Sequence, residues 1–529
     1  MHVTLTDDIQ LPSRVTQGFL RELEERIDVA AGSRDRIAVT APFTGKEIGS
    51  VPQAVSTDVD WAVAAARSAQ VDWKRLSPTM RGRIFTRFHD LLIEHADQAL
   101  DLIQLEGGKA RIPAFEEFYD SVATTRYYVN TAPRLLRSRR RAVSFPGFTR
   151  TYENRQPFGV VGFIVPWNFP WTLGISDAIP ALLAGNGVVI KPDEKTPYST
   201  LFAVKLLEEA GLPEGLVQVL TGEGETIGPP LIDAVDYIMF TGSTAVGRSV
   251  AEQAGRNLMG SSMELGGKNA AIVLSDVDLD QMMPEIARSV YANGGQLCIA
   301  MERIYVEEQI LEDFTRRFVE HVSSLDMTAR YDYSSRLSSL IDSQHVENVQ
   351  SHVEDALAKG AKLLTGGKPR PDVGPFFYEP TVLTDVDDSM ILCRTETFGP
   401  VVSVYGVVDV DEAVAKANDS EFGLNFSIWS RDTRRALDVA SKLEAGTVTI
   451  NDGYAATWSS YDAPMGGFKA SGVGRRHGAE GLLKYTEAQT VSVQRWIPAF
   501  APPRGVSYET YERLLKSALK LLRRIPFYK

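Results

Sequence analysis

The spacing of apolar side chains along the first part of the chain predicts helices. Between residues 79 and 106, apolar positions recur mostly at three- and four-residue steps, and the run ends in a pair of glycines. This pattern predicts one long helix. Ser56-Thr57-Asp58 precedes a shorter helical run and is predicted to cap it, whereas residues 41–47 are predicted to form a turn between two extended segments.

After residue 158 the pattern changes to short apolar runs that alternate with helical ones. The apolar runs cover residues 159–165, 187–191, 217–220 and 235–240, and the helical patterns cover residues 178–183 and 201–210. Strands separated by helices predict a parallel sheet with helices on both faces, as in nucleotide-binding domains. Ligands bind such sheets at the carboxyl ends of the strands, where Asn168, Lys191 and Gly242 are all expected to lie.

The same alternation continues beyond residue 270 and predicts a second α/β domain. Its apolar runs cover residues 271–274, 303–306, 401–405 and 446–450, and its helical patterns cover residues 307–322 and 433–443. Two isolated extended segments, residues 149–155 and 489–496, are predicted to pair into a small sheet outside both domains.

The last thirty residues predict an amphipathic basic helix. Five basic residues between Arg513 and Arg524 fall within an arc of roughly 100° on a helical projection, opposite a set of apolar side chains. Such a helix can dock on a neighbouring subunit or rest on an anionic membrane surface. Docking on a subunit is favoured, because most such helices pack within proteins.

Composition limits the classes of function. The 529 residues are 44% apolar and 23% charged, which is typical of globular proteins with two or three domains. The net charge of -12 argues against a nucleic-acid surface. Neither a membrane-spanning run nor a secretory leader is recognised, and the two cysteines have no disulfide or zinc-site spacing. We therefore expect a cytoplasmic protein without a metal.

The stretch Asn293-Gly294-Gly295-Gln296-Leu297-Cys298 holds a candidate nucleophile. Glycine lets a ligand approach the backbone closely, and a thiol beside it can attack an electrophilic carbon. A free cysteine is more often a small buried apolar residue. Cys298 alone therefore leaves both interpretations open.

Four other segments carry candidate chemistry, each with a structural alternative. Residues 240–249 join a strand to a helix and suit a phosphate, although Arg248 replaces the lysine that a nucleotide-triphosphate loop requires. Asn168 lies in a proline-bounded turn and is either a ligand-binding amide or a helix cap. Glu264 is either a general base or a structural carboxylate that caps a helix or pairs with a lysine. Glu396 either contacts a ligand or belongs to a structural turn.

Taken together and in order, these segments resemble the aldehyde dehydrogenase superfamily from Pro42 to Val493. The resemblance is carried by Pro-Trp-Asn at 166–168, Lys-Pro at 191–192, Phe-Thr-Gly-Ser at 240–243, Glu-Leu-Gly-Gly-Lys at 264–268, Gly-Gln-x-Cys at 295–298, Glu-Thr-Phe-Gly-Pro at 396–400 and Pro-Met-Gly-Gly at 464–467. Within the superfamily, the chain is most similar to actinobacterial succinate-semialdehyde dehydrogenases, notably in residues 298–306, 451–455 and 474–478.

The resemblance implies a catalytic role for three residues. Cys298 would attack the aldehyde and carry a thioester, Asn168 with the Cys298 backbone N–H would hold the oxyanion, and Glu264 would activate the hydrolytic water. The implied cofactor-binding residues are Pro166, Trp167, Lys191, Glu194, Gly242, Ser243, Gly247, Leu265, Glu396 and Phe398. Cys393 matches no motif and is expected to be structural.

Cofactor and substrate are inferred from single positions. Glu194 would bind the ribose hydroxyls and repel a 2'-phosphate, which favours NAD, although Lys195 beside it leaves NADP as an alternative. Better-known succinate-semialdehyde enzymes carry an arginine eight residues after the oxyanion asparagine, and here that position is Ser176. Arg303 is general in the superfamily and does not discriminate.

Succinate semialdehyde is nevertheless the favoured substrate. The alternative is an apolar or aromatic aldehyde, which the aromatic residues expected near the pocket would accept. These residues are Trp167, Phe169, Trp171 and Trp458.

The expected fold class is α/β, with a Rossmann-like cofactor domain, an α/β catalytic domain and a small β oligomerisation sheet. The cofactor domain is assigned residues 1–140 and 159–263, and the catalytic domain residues 264–480. Residues 141–158 and 481–500 are the expected oligomerisation segments of a homodimer or homotetramer, and residues 501–529 the tail helix.

Overall fold

A computed structural model describes residues 11–30, 32–143, 149–495 and 501–523. Two largely parallel sheets covered by helices make up most of this part of the chain, which confirms the α/β class. The described residues contain no helix long and apolar enough to cross a membrane.

The first sheet holds the four strands predicted between residues 159 and 240, together with two strands that were not predicted, Gly260–Glu264 and Gly472–Val473. Its strands, in spatial order, are Gly472–Val473, Gly260–Glu264, Tyr237–Thr241, Val160–Ile164, Gly187–Lys191 and Val217–Val219. All pairs are parallel except the edge pair, in which Gly472 lies opposite Glu264. Because Ile164 is in register with Lys191 and Thr241 with Glu264, these residues share the carboxyl edge of the sheet.

Helices pack around this sheet and close its core. They are Gln17–Glu24, Ser56–Trp73, Pro78–Glu94, Ala96–Gly107, Arg111–Leu135, Pro170–Ile175, Ala178–Ala184, Pro197–Glu209, Gly224–Ala234, Thr244–Arg256 and Gly478–Leu483. A two-stranded hairpin, Arg36–Ala41 with Lys46–Pro52, contains the predicted turn at residues 41–47.

The second sheet follows the alternation predicted beyond residue 270. Its strands, in spatial order, are Lys362–Thr365, Thr381–Thr384, Val401–Val407, Met301–Glu307, Asn269–Val273, Asn425–Trp429 and Thr447–Ile450. Its helices are Leu279–Tyr291, Leu311–Ser323, Ser343–Ala358, Ile391–Arg394, Val410–Asn418, Thr433–Ala440 and Ala455–Trp458, with single 3-10 turns at Ala292–Gly295 and Glu308–Ile310. Short strands Phe422–Gly423 and Phe468–Lys469 pair beside it.

The two isolated extended segments pair, as the sequence predicts. Thr149–Pro157 runs antiparallel to Thr486–Gln494 over the full length of both strands, and Arg139–Arg141 adds a short third strand. The last predicted residue of the second segment, Trp496, lies outside the described residues.

The single helix predicted over residues 79–106 is wrong, because the chain breaks at His95. Pro78–Glu94 buries only one face, whereas every residue from 99 to 107 in the following helix is buried. Ile93, near the end of the first helix, is exposed, whereas residues 99–107 are buried on all sides. The change of direction at His95 lets the second helix enter the interior while the first stays at the surface. The predicted terminus is confirmed, since Gly108 adopts the left-handed conformation with φ 62°.

The cap of the second helix also differs in detail from the prediction. Val55, not Ser56, is the residue before the first helical turn. The Asp58 carboxylate accepts the Val55 backbone N–H at 2.9 Å and also pairs with Arg34 at 2.8 Å. Of the predicted capping residues Ser56, Thr57 and Asp58, Asp58 is therefore the one that stabilises the start of the helix.

The tail forms the predicted helix over Tyr508–Leu522, and Ser507 caps it by accepting the Thr510 N–H at 3.3 Å. None of its described side chains is buried, and Leu514, Leu519 and Leu521 are more than half exposed. Arg524, the last member of the predicted basic arc, lies outside the described residues.

Candidate active site

The loop before Cys298 has an unusual backbone. Asn293, Gly294 and Gly295 all adopt left-handed conformations, with φ of 51°, 64° and 73°. A Cβ on Gly295 would lie 2.0 Å from the Gly399 carbonyl oxygen, so only glycine fits there. Such strain persists only where the surroundings fix the chain, and it is frequent at functional sites.

Gln296 fixes this loop from inside. Its side-chain amide donates to the carbonyls of Asn293 at 2.9 Å and Ser339 at 3.0 Å, and its carbonyl oxygen accepts the Ile341 N–H at 3.0 Å. Because Gln296 is fully buried, these bonds hold the position of the following turn.

The Cys298 side chain is partly accessible and forms no disulfide. Burial raises its pKa to about 12, and the nearby carboxylates of Glu396 and Glu264 act in the same direction. The sulfur therefore rests as a thiol, and a base has to take its proton before it can attack.

Asn168 lies against the same loop. Its Nδ2 donates to the Gln296 carbonyl at 3.1 Å, and its own backbone carbonyl accepts from the Asn293 amide at 3.2 Å. The following helix begins after Phe169 without a side-chain cap, so the helix-cap alternative for Asn168 is wrong. The side-chain amide therefore lies beside residues 296–298, the turn that carries Cys298.

Glu264 is the last residue of the strand Gly260–Glu264, and its side chain lines the cavity described in the next paragraph. Its Oε1 is buried and has no hydrogen-bond partner among the described residues. Burial raises its pKa to about 7, although the positive charges of Arg476 and Lys484 oppose the shift. A carboxylate with this pKa can accept a proton near neutral pH, as a general base must.

One cavity joins these three residues to most of the predicted cofactor-binding residues. It is lined by Pro166, Trp167, Asn168, Leu173, Thr241, Gly242, Ser243, Glu264, Leu265, Gly266, Cys298, Glu396 and Phe398. It lies at the carboxyl edge of the first sheet, where ligands of parallel sheets bind. Lys191, Glu194 and Gly247 lie outside this lining.

Ser243 opens the helix Thr244–Arg256 at the edge of the cavity. Its hydroxyl accepts the Val246 N–H at 3.4 Å, so it caps the helix in this structure. A Cβ on Gly247 would lie 2.3 Å from the Leu265 side chain, which explains why glycine is needed in the first turn. The N-terminus of this helix suits an anionic group.

Lys191 and Glu194 form an ion pair of 3.0 Å at the end of the strand Gly187–Lys191. Lys191 is buried, whereas the Glu194 side chain is 27% exposed. Lys195 turns away to pair with Asp342 at 2.8 Å and packs near the Trp167 ring. The positive charge of Lys195, which was predicted to reduce the repulsion between Glu194 and a 2'-phosphate, is thus paired with Asp342.

Glu396 and Phe398 close the opposite side of the cavity. The Glu396 carboxylate accepts the Gly267 N–H at 2.9 Å, and burial followed by the charge of Glu302 raises its pKa to about 8. Phe398 has a left-handed backbone with φ 54°, and its ring meets Trp167 edge to face at 5.6 Å.

Sequence reasoning missed the residues that hold this side in place. The Glu302 carboxylate pairs with Lys268 inside the protein and accepts the N–H of Phe398 at 2.9 Å. Asn269 donates to the Cys298 carbonyl at 2.7 Å. One signal for them was present in the sequence, because Lys268 and Glu302 lie in residues 264–268 and 298–306, two of the segments that carry the family resemblance.

A second pocket lies next to Leu297 and Ile299, the two neighbours of Cys298 in the chain. It is lined by Glu116, Tyr119, Phe169, Leu297, Ile299, Tyr454, Ala455, Trp458, Ser459 and Tyr461. Phe169 and Trp458 lie where the sequence predicts aromatic residues for an aldehyde. The prediction is wrong for Trp167, which lines the first cavity instead, and for Trp171, which is fully buried and bonds to Ser121 at 2.9 Å.

Three other residues considered from the sequence line neither of these two pockets. Ser176 is buried and bonds to Thr172 at 2.8 Å. Arg303 donates to backbone carbonyls, including that of Lys268. Cys393 lines a different surface cavity and donates to Asp388 at 3.4 Å.

Comparison with known proteins agrees with this geometry. The model of the aldehyde dehydrogenase family matches residues 29–491. A Mycobacterium ulcerans protein named "Putative succinate-semialdehyde dehydrogenase (NADP+) 2" is 48% identical over 98% of this chain and 99% of its own length. Human retinal dehydrogenase 2 is 38% identical over 86% of this chain and 88% of its own length. The Staphylococcus aureus betaine aldehyde dehydrogenase, solved with NAD+, is 30% identical with a TM-score of 0.83, covering 92% of this chain and 100% of that one.

Proposed function

This chain belongs to the aldehyde dehydrogenase family, and from that membership we propose that it converts its aldehyde into a carboxylate through a thioester on Cys298. The observation that carries the proposal is the cavity in which Cys298, Asn168 and Glu264 meet the residues expected to bind the cofactor. Family membership makes it an oxidoreductase that uses NAD(P).

Cys298 supplies the nucleophile and Asn168 the first stabilising donor. The Sγ proton leaves to solvent water, the sulfur bonds to the aldehyde carbon, and the carbonyl oxygen becomes an oxyanion. One N–H of the Asn168 amide is engaged by Gln296, which leaves the second to donate to this oxygen together with the Cys298 backbone N–H.

Glu264 supplies the base. Its side chain lines the cavity, its buried Oε1 has no partner among the described residues, and its pKa of about 7 lets it accept a proton from water that attacks the thioester carbon. The bond to Sγ then breaks, the carboxylate leaves, and Cys298 takes a proton back.

The residues around the cavity fit a dinucleotide. NAD(P)+, when bound, accepts the hydride that leaves the aldehyde carbon. Glu396 and Phe398 would hold the nicotinamide end beside Cys298, together with Pro166, Trp167 and Leu265. Gly242, Ser243 and Gly247 would place the helix N-terminus at the pyrophosphate, and Lys191 with Glu194 would bind the adenosine ribose.

We propose NAD as the preferred cofactor. Glu194 forms an ion pair with Lys191, and a 2'-phosphate would meet the Glu194 carboxylate. Lys195, the cation that would favour NADP, is paired with Asp342. The NADP+ in the names of the mycobacterial relatives makes the opposite preference the alternative to test.

Succinate semialdehyde is the proposed substrate. The proposal is supported by the names of the mycobacterial relatives, which match almost the whole chain at 46–48% identity. The aromatic pocket beside Cys298, with Phe169, Trp458 and Tyr461, favours a second candidate, an apolar aliphatic or aromatic aldehyde.

Steady-state oxidation followed at the NADH absorbance separates these substrates. Succinate semialdehyde, hexanal and benzaldehyde would each be measured with NAD and with NADP, beside a Cys298→Ala control. We expect succinate semialdehyde to lead by about tenfold or more in kcat/KM, about 1.4 kcal/mol of transition-state preference. A lead for the apolar aldehydes would transfer the proposal to the second candidate.

We also propose a cytoplasmic homo-oligomer. A reducing compartment keeps the Cys298 thiol free, and the sheet formed by Thr149–Pro157 and Thr486–Gln494 offers an exposed surface for a second subunit. The basic tail helix is assigned to subunit docking in preference to a membrane surface.

A further inference from the structure

Arg476 places a guanidinium deep in the protein near the reactive residues. The residue is 3% exposed, and its backbone bonds in both directions to Met465, at 2.7 and 2.9 Å. Its positive charge opposes the rise that burial causes in the pKa of both Cys298 and Glu264, so the guanidinium acts within Coulombic range of the proposed nucleophile and base.

The guanidinium is only partly satisfied. Its Nη2 lies 3.3 Å from the Asp177 carboxylate, which neutralises the charge at one corner. Its Nε is buried and has no hydrogen-bond partner among the residues that the structure describes. A buried donor without an acceptor is costly, and such donors are informative because they often serve a ligand.

The guanidinium lies behind the wall of the aldehyde pocket that Trp458 lines. Its central carbon lies 5.1 Å from the centre of the Trp458 ring, and Trp458 lines that pocket together with Tyr461. The Tyr461 hydroxyl is also buried, and it interacts with the Asp120 carboxylate. The Arg476 Nε is therefore the unpaired donor at this end of the pocket.

Two acidic residues lie in the same cluster and affect its charge. Asp177 is committed to Arg476. Asp120 accepts the Thr172 hydroxyl with one oxygen, and its other oxygen has no partner in the described structure. Burial raises the pKa of the Asp120 carboxyl, although the charge of Arg476 and the hydrogen bonds from Thr172 and Ser176 oppose the rise.

The neighbouring arginines are already engaged. Arg303 bonds to the carbonyls of Lys268, Lys416 and Ala417, and Arg475 donates to those of Gly467 and Gly474. Arg288, at the Glu116 side of the pocket, binds Glu116 at 3.0 Å and Glu285 at 2.7 Å.

We propose that Arg476 determines specificity by binding, through its unpartnered Nε, the carboxylate at the far end of a short semialdehyde whose aldehyde carbon lies at Cys298. The inference rests on the proposed function and deepens it, because it assigns an ω-carboxyl aldehyde as the substrate class and names the residue that recognises it. The aromatic rings of the pocket then contact the methylene groups.

A pair of substrates that differ only in charge tests this role. Succinate semialdehyde would be compared with 4-methylpentanal, in which an isopropyl group of similar shape replaces the carboxylate. The wild type, Arg476→Gln, Arg476→Lys and the control Arg475→Gln would each be measured with both. Lysine keeps the charge beside Asp177 but lacks the Nε donor, so it serves if the glutamine variant does not fold.

We expect the wild type and Arg475→Gln to prefer succinate semialdehyde in kcat/KM. Both Arg476 variants should lose about 10- to 100-fold of that preference, the range of one charge-assisted hydrogen bond. Arg476→Gln also removes a charge that acts on Cys298 and Glu264, so it should slow both substrates, whereas Arg476→Lys keeps the charge and should oxidise 4-methylpentanal at nearly the wild-type rate. Succinate should also inhibit 4-methylpentanal oxidation by the wild type and lose this effect in the variants.

Three outcomes would overturn the inference. An equal loss with both substrates would show that Arg476 supports Glu264 or Cys298 and does not select the substrate. A preference that survives in both Arg476 variants would place carboxylate recognition elsewhere while leaving the proposed function intact. A wild type that prefers 4-methylpentanal would remove succinate semialdehyde from the proposed function and Arg476 from its recognition.

Discussion

Among the single residues, Glu264 makes the clearest prediction. A carboxylate accepts a proton only when ionised, and burial raises the pKa of Glu264 to about 7. We therefore expect kcat to rise with pH through about pH 7 and to level off above it, because protonation below the pKa removes the base. Initial rates at saturating aldehyde and cofactor measure this profile.

The matched variant for this profile is Glu264→Gln, which keeps the shape and removes the charge. It should lower kcat by about 100-fold or more and abolish the rise near pH 7. An unchanged rise in the variant would assign the titration to another group.

Cofactor choice is the second prediction at this scale. Glu194→Gln removes the negative charge expected to repel a 2'-phosphate, so kcat/KM with NADP should rise relative to NAD by about fivefold or more. Kinetics with both cofactors measure the ratio. The exposed Glu214 supplies the control, because Glu214→Gln changes the net charge equally without altering the ribose site. The same shift in both variants would refute a local effect.

The sequence named residues whose chemistry is local and missed residues that act through distant pairs. Cys298, Asn168 and Glu264 could be identified because each lies in a short segment with its own signature. The Asp177–Arg476 ion pair joins residues far apart in the chain, and nothing in either segment specifies its partner. Trp171 was misassigned because an aromatic side chain can pack inward as readily as into a pocket.

Among the elements, the loop before Cys298 is the one with the strictest backbone requirement. Gly295→Ala would combine φ 73° with a contact of 2.0 Å to the Gly399 carbonyl. We expect it to lower the stability of the protein by about 2 kcal/mol or more. Thermal unfolding measures the loss, and activity should fall with it because the loop carries the nucleophile.

Gly255→Ala provides the matched control. Gly255 lies in the helix Thr244–Arg256, where an added Cβ meets no atom within 4 Å. Alanine is the better helix residue by up to about 1 kcal/mol, so the midpoint should stay or rise. Equal behaviour of the two variants would show that the left-handed loop is not under constraint.

Periodicity identified helices and strands but not where a helix changes direction. The steps of apolar residues are similar on both sides of His95, so the sequence predicted one helix where the structure has two. The break depends on the buried space that receives residues 99–107, and that space is created by other parts of the chain.

At the scale of the whole molecule, the exposed sheet of Thr149–Pro157 and Thr486–Gln494 predicts the subunit contact. Val491 and Val493 are 40% and 48% exposed on its outer strand. Replacing both by lysine should place charges in the interface and shift the protein toward monomers, as light scattering after gel filtration would detect. Val408→Lys, at a site 66% exposed elsewhere, is the control. An unchanged mass for the double variant would locate the contact on another surface.

The two α/β regions could be predicted from the alternation of apolar runs and helical patterns, and the small third sheet from two isolated extended segments. The pairing of Gly472–Val473 with the strand of Glu264 could not, because two residues carry no periodic signal. The assigned boundaries at residues 140, 159, 264 and 480 remain a prediction.

The central claim is that Cys298 carries the acyl group and Glu264 releases it. Mass spectrometry of Glu264→Gln after brief mixing with aldehyde and NAD+ tests this directly. We expect the mass of one acyl group on the peptide that contains Cys298 and none in Cys298→Ala, because hydrolysis is slowed while thioester formation continues. An acyl group on another residue, or full turnover by Cys298→Ala, would contradict the claim.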